Sequence, residues 1–203
     1  MKLKKILPIF SYIFHPLFVP VQASFLYFLF HIADYKIEQI TTILLQISAV
    51  TIIVPMGLYF LLRFVGKADS IMIANIDQRK IPLIFQSFLI ILLLRKSIPL
   101  EYYPELHFFF LGALFSTLSA LGLLYLKTKA SLHMLAISAL TVFAFGLNIH
   151  LQTASVYLVP FLLLMNGFVA SSRLVMRAHT PNELIIGLLL GSIPQLVFLF
   201  LWL

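Results

Sequence analysis

The sequence predicts an all-α, polytopic membrane protein: a bundle of seven transmembrane helices, or six if the first apolar segment only enters the bilayer and returns. Three observations predict it. Of the 203 residues, 62% are hydrophobic and only 10% charged, with a mean hydropathy of +1.06, far above the near-even mixture of a soluble domain. Apolar runs of about 20 residues, the length needed to cross a bilayer, take up nearly the whole chain. No ten-residue alternation of a barrel strand occurs, and a bilayer cannot satisfy open sheet edges, so the spans are helices. Residues 1–203 therefore form one membrane domain, with no room for a separate soluble one.

Seven apolar runs follow in order: Ile6 to Ile32, Ile40 to Leu62, Ile81 to Leu94, Leu106 to Leu126, Leu132 to Ile149, Val156 to Val169 and Leu184 to Leu203. The first follows the basic stretch Met1-Lys2-Leu3-Lys4-Lys5. It is too long for a signal-peptide core and no small-x-small cleavage site follows it, so it reads as an anchor that stays. Its weak point is His15-Pro16 with Pro20. The third run is short and opens at Asp77-Gln78-Arg79-Lys80-Ile81-Pro82, with a proline in its first turn. Before the fourth, Tyr102 and Tyr103 suit an interfacial belt. The fifth opens at Lys129-Ala130-Ser131-Leu132-His133. Ser131 can cap it, and Lys129 and His133, four apart, share a face if helical. The short sixth run carries Gly167 and Ala170 to Ser172, small residues that let helices approach closely. The seventh opens on a capping box, with Thr180 as N-cap, Pro181 at the first helical position and Glu183 at the third.

The formal charge is +7, but the 14 Lys and Arg are scattered singly or in pairs between apolar runs, so membrane topology explains them better than nucleic acid. With seven spans, the N-terminal side carries Lys2, Lys4, Lys5, Arg63, Lys67, Arg79, Lys80, Lys127, Lys129, Arg173 and Arg177, against Lys36, Arg95 and Lys96 on the other: 11 against 3. Discounting Arg79, Lys80, Lys129 and Arg173 as chemistry still leaves 7 against 3. The N-terminus is thus expected in the cytoplasm, and the chain in the inner membrane of a bacterium. Arg63, Lys67 and Lys127 read as topology and headgroup anchors. The absence of cysteine excludes disulfides, thiolate metal sites and a thiol nucleophile. None of the seven acidic residues lies clearly mid-span, which disfavours a charge-relay transporter or channel.

Most polar groups capable of chemistry gather on that same N-terminal side. Three helix starts face it, each with cations beside it. Free N–H groups, the positive dipole end and fork-shaped guanidinium donors suit a polyanion such as a phosphate or diphosphate. Of two nearby histidines, one can attack phosphorus while the other protonates the leaving oxygen. The plainer role of Glu183 is capping alone. His15, His31, His107 and His150 lack such company and read as interfacial, although His15 with Pro16 and Pro20 can line a polar cavity.

The segment Ser172-Arg173, five residues, His179, three residues, Glu183 resembles the third signature of the type 2 phosphatidic acid phosphatase superfamily, Ser-Arg-x5-His-x3-Asp. Ala130-Ser131-Leu132-His133 is similar to its second, Pro-Ser-Gly-His, and Arg79 to Pro82 to a degraded form of its first, Lys-x6-Arg-Pro. The order is right, and two spans separate each pair, as in that fold. The resemblance divides the chain into N-terminal spans, 1–62, and a phosphatase-like core, 63–200. It implies His179 as nucleophile, Glu183 as the group orienting it and His133 as general acid. Arg173, Ser131 and Arg79 are implied phosphate ligands, with Lys129 and Lys80 as additions.

Members of the family act without a metal or other cofactor, and the integral membrane ones dephosphorylate lipids such as phosphatidate, phosphatidylglycerophosphate or polyprenyl diphosphates. The expected partners are therefore phosphorylated membrane lipids. The family usually works on the non-cytoplasmic face, opposite to the face that the charge count implies. The chain departs from the pattern at Ala130, Leu132 and Glu183, and no lysine stands seven residues before Arg79 or Lys80. Those departures motivate the alternative, a degenerate relative that binds a lipid phosphate or a partner protein without hydrolysis.

Overall fold

The computed structural model describes residues 6–66, 77–152 and 156–203. Lys2, Lys4, Lys5 and Lys67, counted above for topology, lie outside the described residues. Every regular element described is helical, and the order is α1 (Pro8–Ile13), α2 (Val19–Phe30), α3 (Ile37–Ser48), α4 (Val54–Phe64), α5 (Lys80–Lys96), α6 (Pro104–Tyr125), α7 (Leu132–His150), α8 (Leu158–Val175) and α9 (Pro181–Leu199). A π-turn at Ala49–Ile53 joins α3 to α4 into one continuous helix of 28 residues. Pro55 explains it: the ring crowds the preceding turn and offers no N–H, and a widened turn relieves both.

Among the described residues, five helices are long and apolar enough to cross a membrane: Ile37–Phe64, α6, α7, α8 and α9; α2 is a shorter apolar helix. The chain is an integral membrane helix bundle. All seven predicted runs are helical, with one shift that matters. The sixth apolar run was bounded at Val169, with polar edges that could be drawn in, and the helix does take them in, since α8 continues to Val175. Ser172 and Arg173 lie on its inner face and are buried, so polarity there marks the bundle interior.

The most deeply buried of the five is α7, which packs against α9, α8, α2 and α6. Its seam with α9 is the tightest. Gly187 and Gly191 stand four apart on one face of α9, and a Cβ on either would overlap the main-chain carbonyl oxygen of Ser131 or Leu135. Small residues at this spacing let two helix backbones meet. Polar bonds lock the seam: Ser138 Oγ donates to the Leu188 carbonyl at 3.0 Å, and the Ser131 N–H to that of Glu183 at 3.0 Å. Gly167, expected to serve this purpose, faces open space. The sequence does carry the true signal, Gly-x3-Gly at 187–191.

Gly191→Val should therefore destabilise the fold by about 1–3 kcal/mol or more, because the obstacle is backbone and cannot rotate away. Gly167→Val is the matched control. Thermal melts in detergent micelles check this: the first variant should melt several degrees low and the second should not move.

Contacts at the two ends of α7 fix the course of the first segment. His15 packs on His133 near the start of α7, and His31 meets Glu105 beside His150 at its end. Between those contacts α2 runs along α7 from one end to the other, while α1 packs beside α8 at the His15 end. At that far end, Nε2 of His31 and of His150 lie 3.8 and 3.4 Å from one Glu105 oxygen, and Glu105 is 6% exposed. Tyr27 and Tyr35 join hydroxyls at 2.8 Å, and Tyr35 donates to the Tyr102 carbonyl at 2.7 Å. His31 and His150 are therefore not merely interfacial; with Glu105 they tie α2, α6 and α7 together. Tyr102 is exposed as expected of a belt residue, but Tyr103 is buried against Phe28 and Tyr35.

Candidate active site

The opposite end of the bundle is built from two loops that run side by side. Each begins where a helix stops on a non-glycine residue in the left-handed region, Lys127 (φ 56°) after α6 and Arg177 (φ 51°) after α8. In both, the two N–H groups beyond the helix reach back to its last turn: Thr128 to Leu123 and Lys127 to Leu124, Ala178 to Arg173 and Arg177 to Leu174. This is the double C-terminal cap usually made with glycine. Lysine and arginine tolerate it here because cations favour a helix C-terminus. Lys129 Nζ then donates to the Ala178 carbonyl at 3.0 Å, joining the loops. Lys129 stands in extended chain ahead of α7, so its nearness to the site comes from that tie. The helical face expected to pair it with His133 does not form.

Both helix starts behave as the sequence expects. Ser131 caps α7, accepting the Met134 N–H at 3.4 Å. Thr180 and Glu183 close the capping box on α9, each at 3.4 Å. Glu183 does more than cap: the same Oε2 accepts from His179 Nδ1 at 2.6 Å. A carboxylate can only accept, so the neutral imidazole carries its proton on Nδ1 and leaves a lone pair on Nε2. The glutamate side chain is long enough to hold cap and ring together.

His179 is buried. Burial first, then the charges of Lys129 and Arg173, hold it below the usual imidazole range, to about 4, although the Glu183 carboxylate opposes them. Burial, and after it Arg79, likewise lowers the Lys129 ammonium, with Glu183 opposing and Arg173 adding to the fall.

Arg79 ends a short 3-10 turn, Asp77–Arg79, at the start of α5. It stands within Coulombic reach of Glu183, Lys129 and Arg173. Lys80 places Nζ 5.1 Å over the Tyr125 ring. His133, in the first turn of α7, stands near the Ser11 main chain and feels the charges of Arg173, His15 and His179. Arg173, 4% exposed, touches Met176 Sδ at 3.9 Å, and its Nε is buried with no hydrogen-bond partner among the described residues.

Arg79, Ser131, Lys129, His133, Arg173, His179 and Glu183 thus converge from three helix starts and one helix end. Among the described residues, Glu183 is the carboxylate of this convergence, and it already serves His179. Among the described residues, no group of three His, Cys, Asp or Glu is arranged to hold a metal ion. What sequence reasoning missed is the contribution of the first segment: Ser11 Oγ bonds Ser172 Oγ at 2.6 Å, and His15 meets His133. The only signal was His15-Pro16 itself. No family model, no curated protein and no solved structure matches the chain.

Proposed function

We propose that the protein is a membrane lipid phosphatase, similar to the type 2 phosphatidic acid phosphatases, which releases phosphate from a lipid phosphate or polyprenyl diphosphate through a phosphohistidine on His179. The observation that carries this reading is Arg173, a buried guanidinium with an unpaired Nε and two further cations nearby. A buried charge costs several kcal/mol unless something opposite meets it. A phosphoryl group supplies that charge in the fork geometry a guanidinium prefers.

The mechanism follows from the proton positions. His179 Nε2 forms a bond to phosphorus as the P–O bond to the lipid breaks, and the imidazolium charge is steadied by Glu183 through Nδ1. His133 gives its proton to the departing oxygen, releasing the lipid alcohol, or the lipid monophosphate from a diphosphate. Water then attacks phosphorus, His133 recovers a proton from it, and inorganic phosphate leaves with His179 restored. Arg79, Arg173, Lys129 and the N–H groups at the starts of α7 and α9 neutralise the equatorial oxygens.

The lipid half of the reading has its own support. An apolar groove of about 420 Å³ begins at Phe14, beside His15, and is lined by Val21, Leu26, Leu140 and Leu162. Such a lining suits a hydrocarbon tail.

The test is release of phosphate from a panel of lipid phosphates by purified protein in chelator, with an alkaline quench to trap the intermediate. Label should accumulate on His179 as an acid-labile, alkali-stable phosphate; turnover with no such label sinks the mechanism. The pH profile is a second check. A nucleophile held near 4 stays unprotonated as the pH falls, so kcat/KM should hold through pH 6.5 and decline only toward pH 4. An acid limb at pH 6.5 contradicts the environment assigned to His179.

One observation favours the alternative of binding without hydrolysis. Leu132, where the family has glycine, packs with Leu83, Leu124 and Leu135 at the start of α7. In that case the chain as it stands shows no turnover, and Leu132→Gly with Glu183→Asp creates it.

A further inference from the structure

We propose that His15 is a third histidine of the phosphate site, donating its Nε2–H to a ligand oxygen on the side where His133 stands. The inference takes its ligand from the reading above. His15 belongs to the turn between α1 and α2, outside all three polar segments that resemble family signatures.

Its proton position is fixed locally. Pro16 has no N–H, so Leu17 is the first donor of the turn, and it donates to His15 Nδ1 at 3.3 Å. An Nδ1 that accepts leaves the neutral ring's proton on Nε2. Among the described residues, no acceptor stands within hydrogen-bond reach of that Nε2–H. The His133 ring lies 5.0 Å away, edge to face, and the Arg173 cation is in Coulombic reach. The His15 Nε2–H and the Arg173 guanidinium, with no carboxylate among the charges His15 feels, define a place for an anionic oxygen.

The turn is also rigid enough to aim the ring. The Phe18 and Val19 N–H groups donate to the His15 carbonyl at 2.8 and 3.2 Å. Gln22 Nε2 reaches back to the Ile13 carbonyl at 2.8 Å. Ser11 bonds Ser172 at 2.6 Å, one residue from Arg173, and Phe10 stacks on Phe168 at 4.6 Å. The α1 hairpin is thereby fastened to α8 at the level of the site. A fixed donor costs no reorganisation when the ligand arrives, which is what makes it worth more than a mobile one. The plainer role of the ring is packing against His133, and the experiment separates the two.

Three substitutions in the full chain distinguish donor from filler. His15→Gln keeps an N–H near the Nε2 position, His15→Met has the same reach without a donor, and His15→Phe keeps an aromatic ring against His133. A hydrogen bond to a charged oxygen predicts that Met and Phe lower kcat/KM for a lipid phosphate by roughly 10- to 100-fold, with Gln within a few-fold of wild type. Wild-type turnover in Phe, or equal turnover in Met and Gln, overturns the proposal and leaves the phosphatase reading standing.

Should the wild-type chain release no phosphate, the phosphatase reading fails by itself. The same variants are then compared for affinity toward inorganic phosphate by calorimetry in micelles. Weaker binding in Met than in Gln supports the proposal; equal binding, or none by the wild type, overturns it.

Discussion

Alanine at position 179 is expected to abolish phosphate release, a fall of at least about 10⁴-fold, because no other group in the site can take phosphorus in its place. The more telling companion is Glu183→Gln. Glutamine at the third helical position still closes a capping box with Thr180, so α9 should start where it does now and the melting temperature should hardly move. The amide can nevertheless face His179 with its N–H₂ group and leave the imidazole proton on the wrong nitrogen. It also carries no charge to steady the imidazolium. A loss on the order of 10³- to 10⁴-fold in kcat with little change in stability is the expected pattern. A Glu183→Gln variant that melts low and still turns over normally would assign Glu183 to the cap alone. Phosphate release and thermal melts on the two variants, side by side, read both quantities.

Much of this arrangement was legible in the sequence, and what was not has a common cause. Spans, caps and clustered cations are properties of a helix and its immediate neighbours, so Ser131, Thr180, Pro181 and Glu183 could be placed from their spacing alone. The bond between His179 and Glu183 is also local, four residues apart at a helix start. By contrast, His15 meets His133 across more than a hundred residues, and Ser11 meets Ser172 across 161; no periodicity reports such a pairing.

Arg173 was read at the end of the sixth span and lies in the last turn of α8. Lys129 would share a face with His133 only if helical, and it lies ahead of the Ser131 cap. Gly187 and Gly191 are a different case. Their spacing is a readable packing signal, yet it lies in the run read mainly for its capping box, and without the partner face of Ser131, Leu135 and Ser138 it names no seam.

Arg173→Met should move two properties in opposite directions. The guanidinium is 4% exposed, its Nε has no partner among the described residues, and its Coulombic neighbours include Arg79, which repels it. Methionine fills a similar volume, keeps the contact beside Met176 apolar, and removes an uncompensated buried charge. Replacing buried charge by packed apolar groups stabilises other proteins by about 1–4 kcal/mol, so the variant should melt several degrees above wild type.

In the proposed phosphatase the same change removes a donor to the phosphoryl oxygens and should lower kcat/KM by roughly 10²- to 10³-fold. Stability gained with function lost is the signature of a charge kept for a ligand instead of for the fold. A structural arginine predicts the reverse: a low melting temperature, with activity falling only as the protein unfolds. Adding inorganic phosphate sharpens the comparison, since an anion that binds the folded state raises the melting temperature of the wild type by mass action. It should leave the methionine variant nearly unmoved. A melting temperature that falls in Arg173→Met and rises with phosphate equally in both proteins would take Arg173 out of the site and remove the main support for a phosphatase.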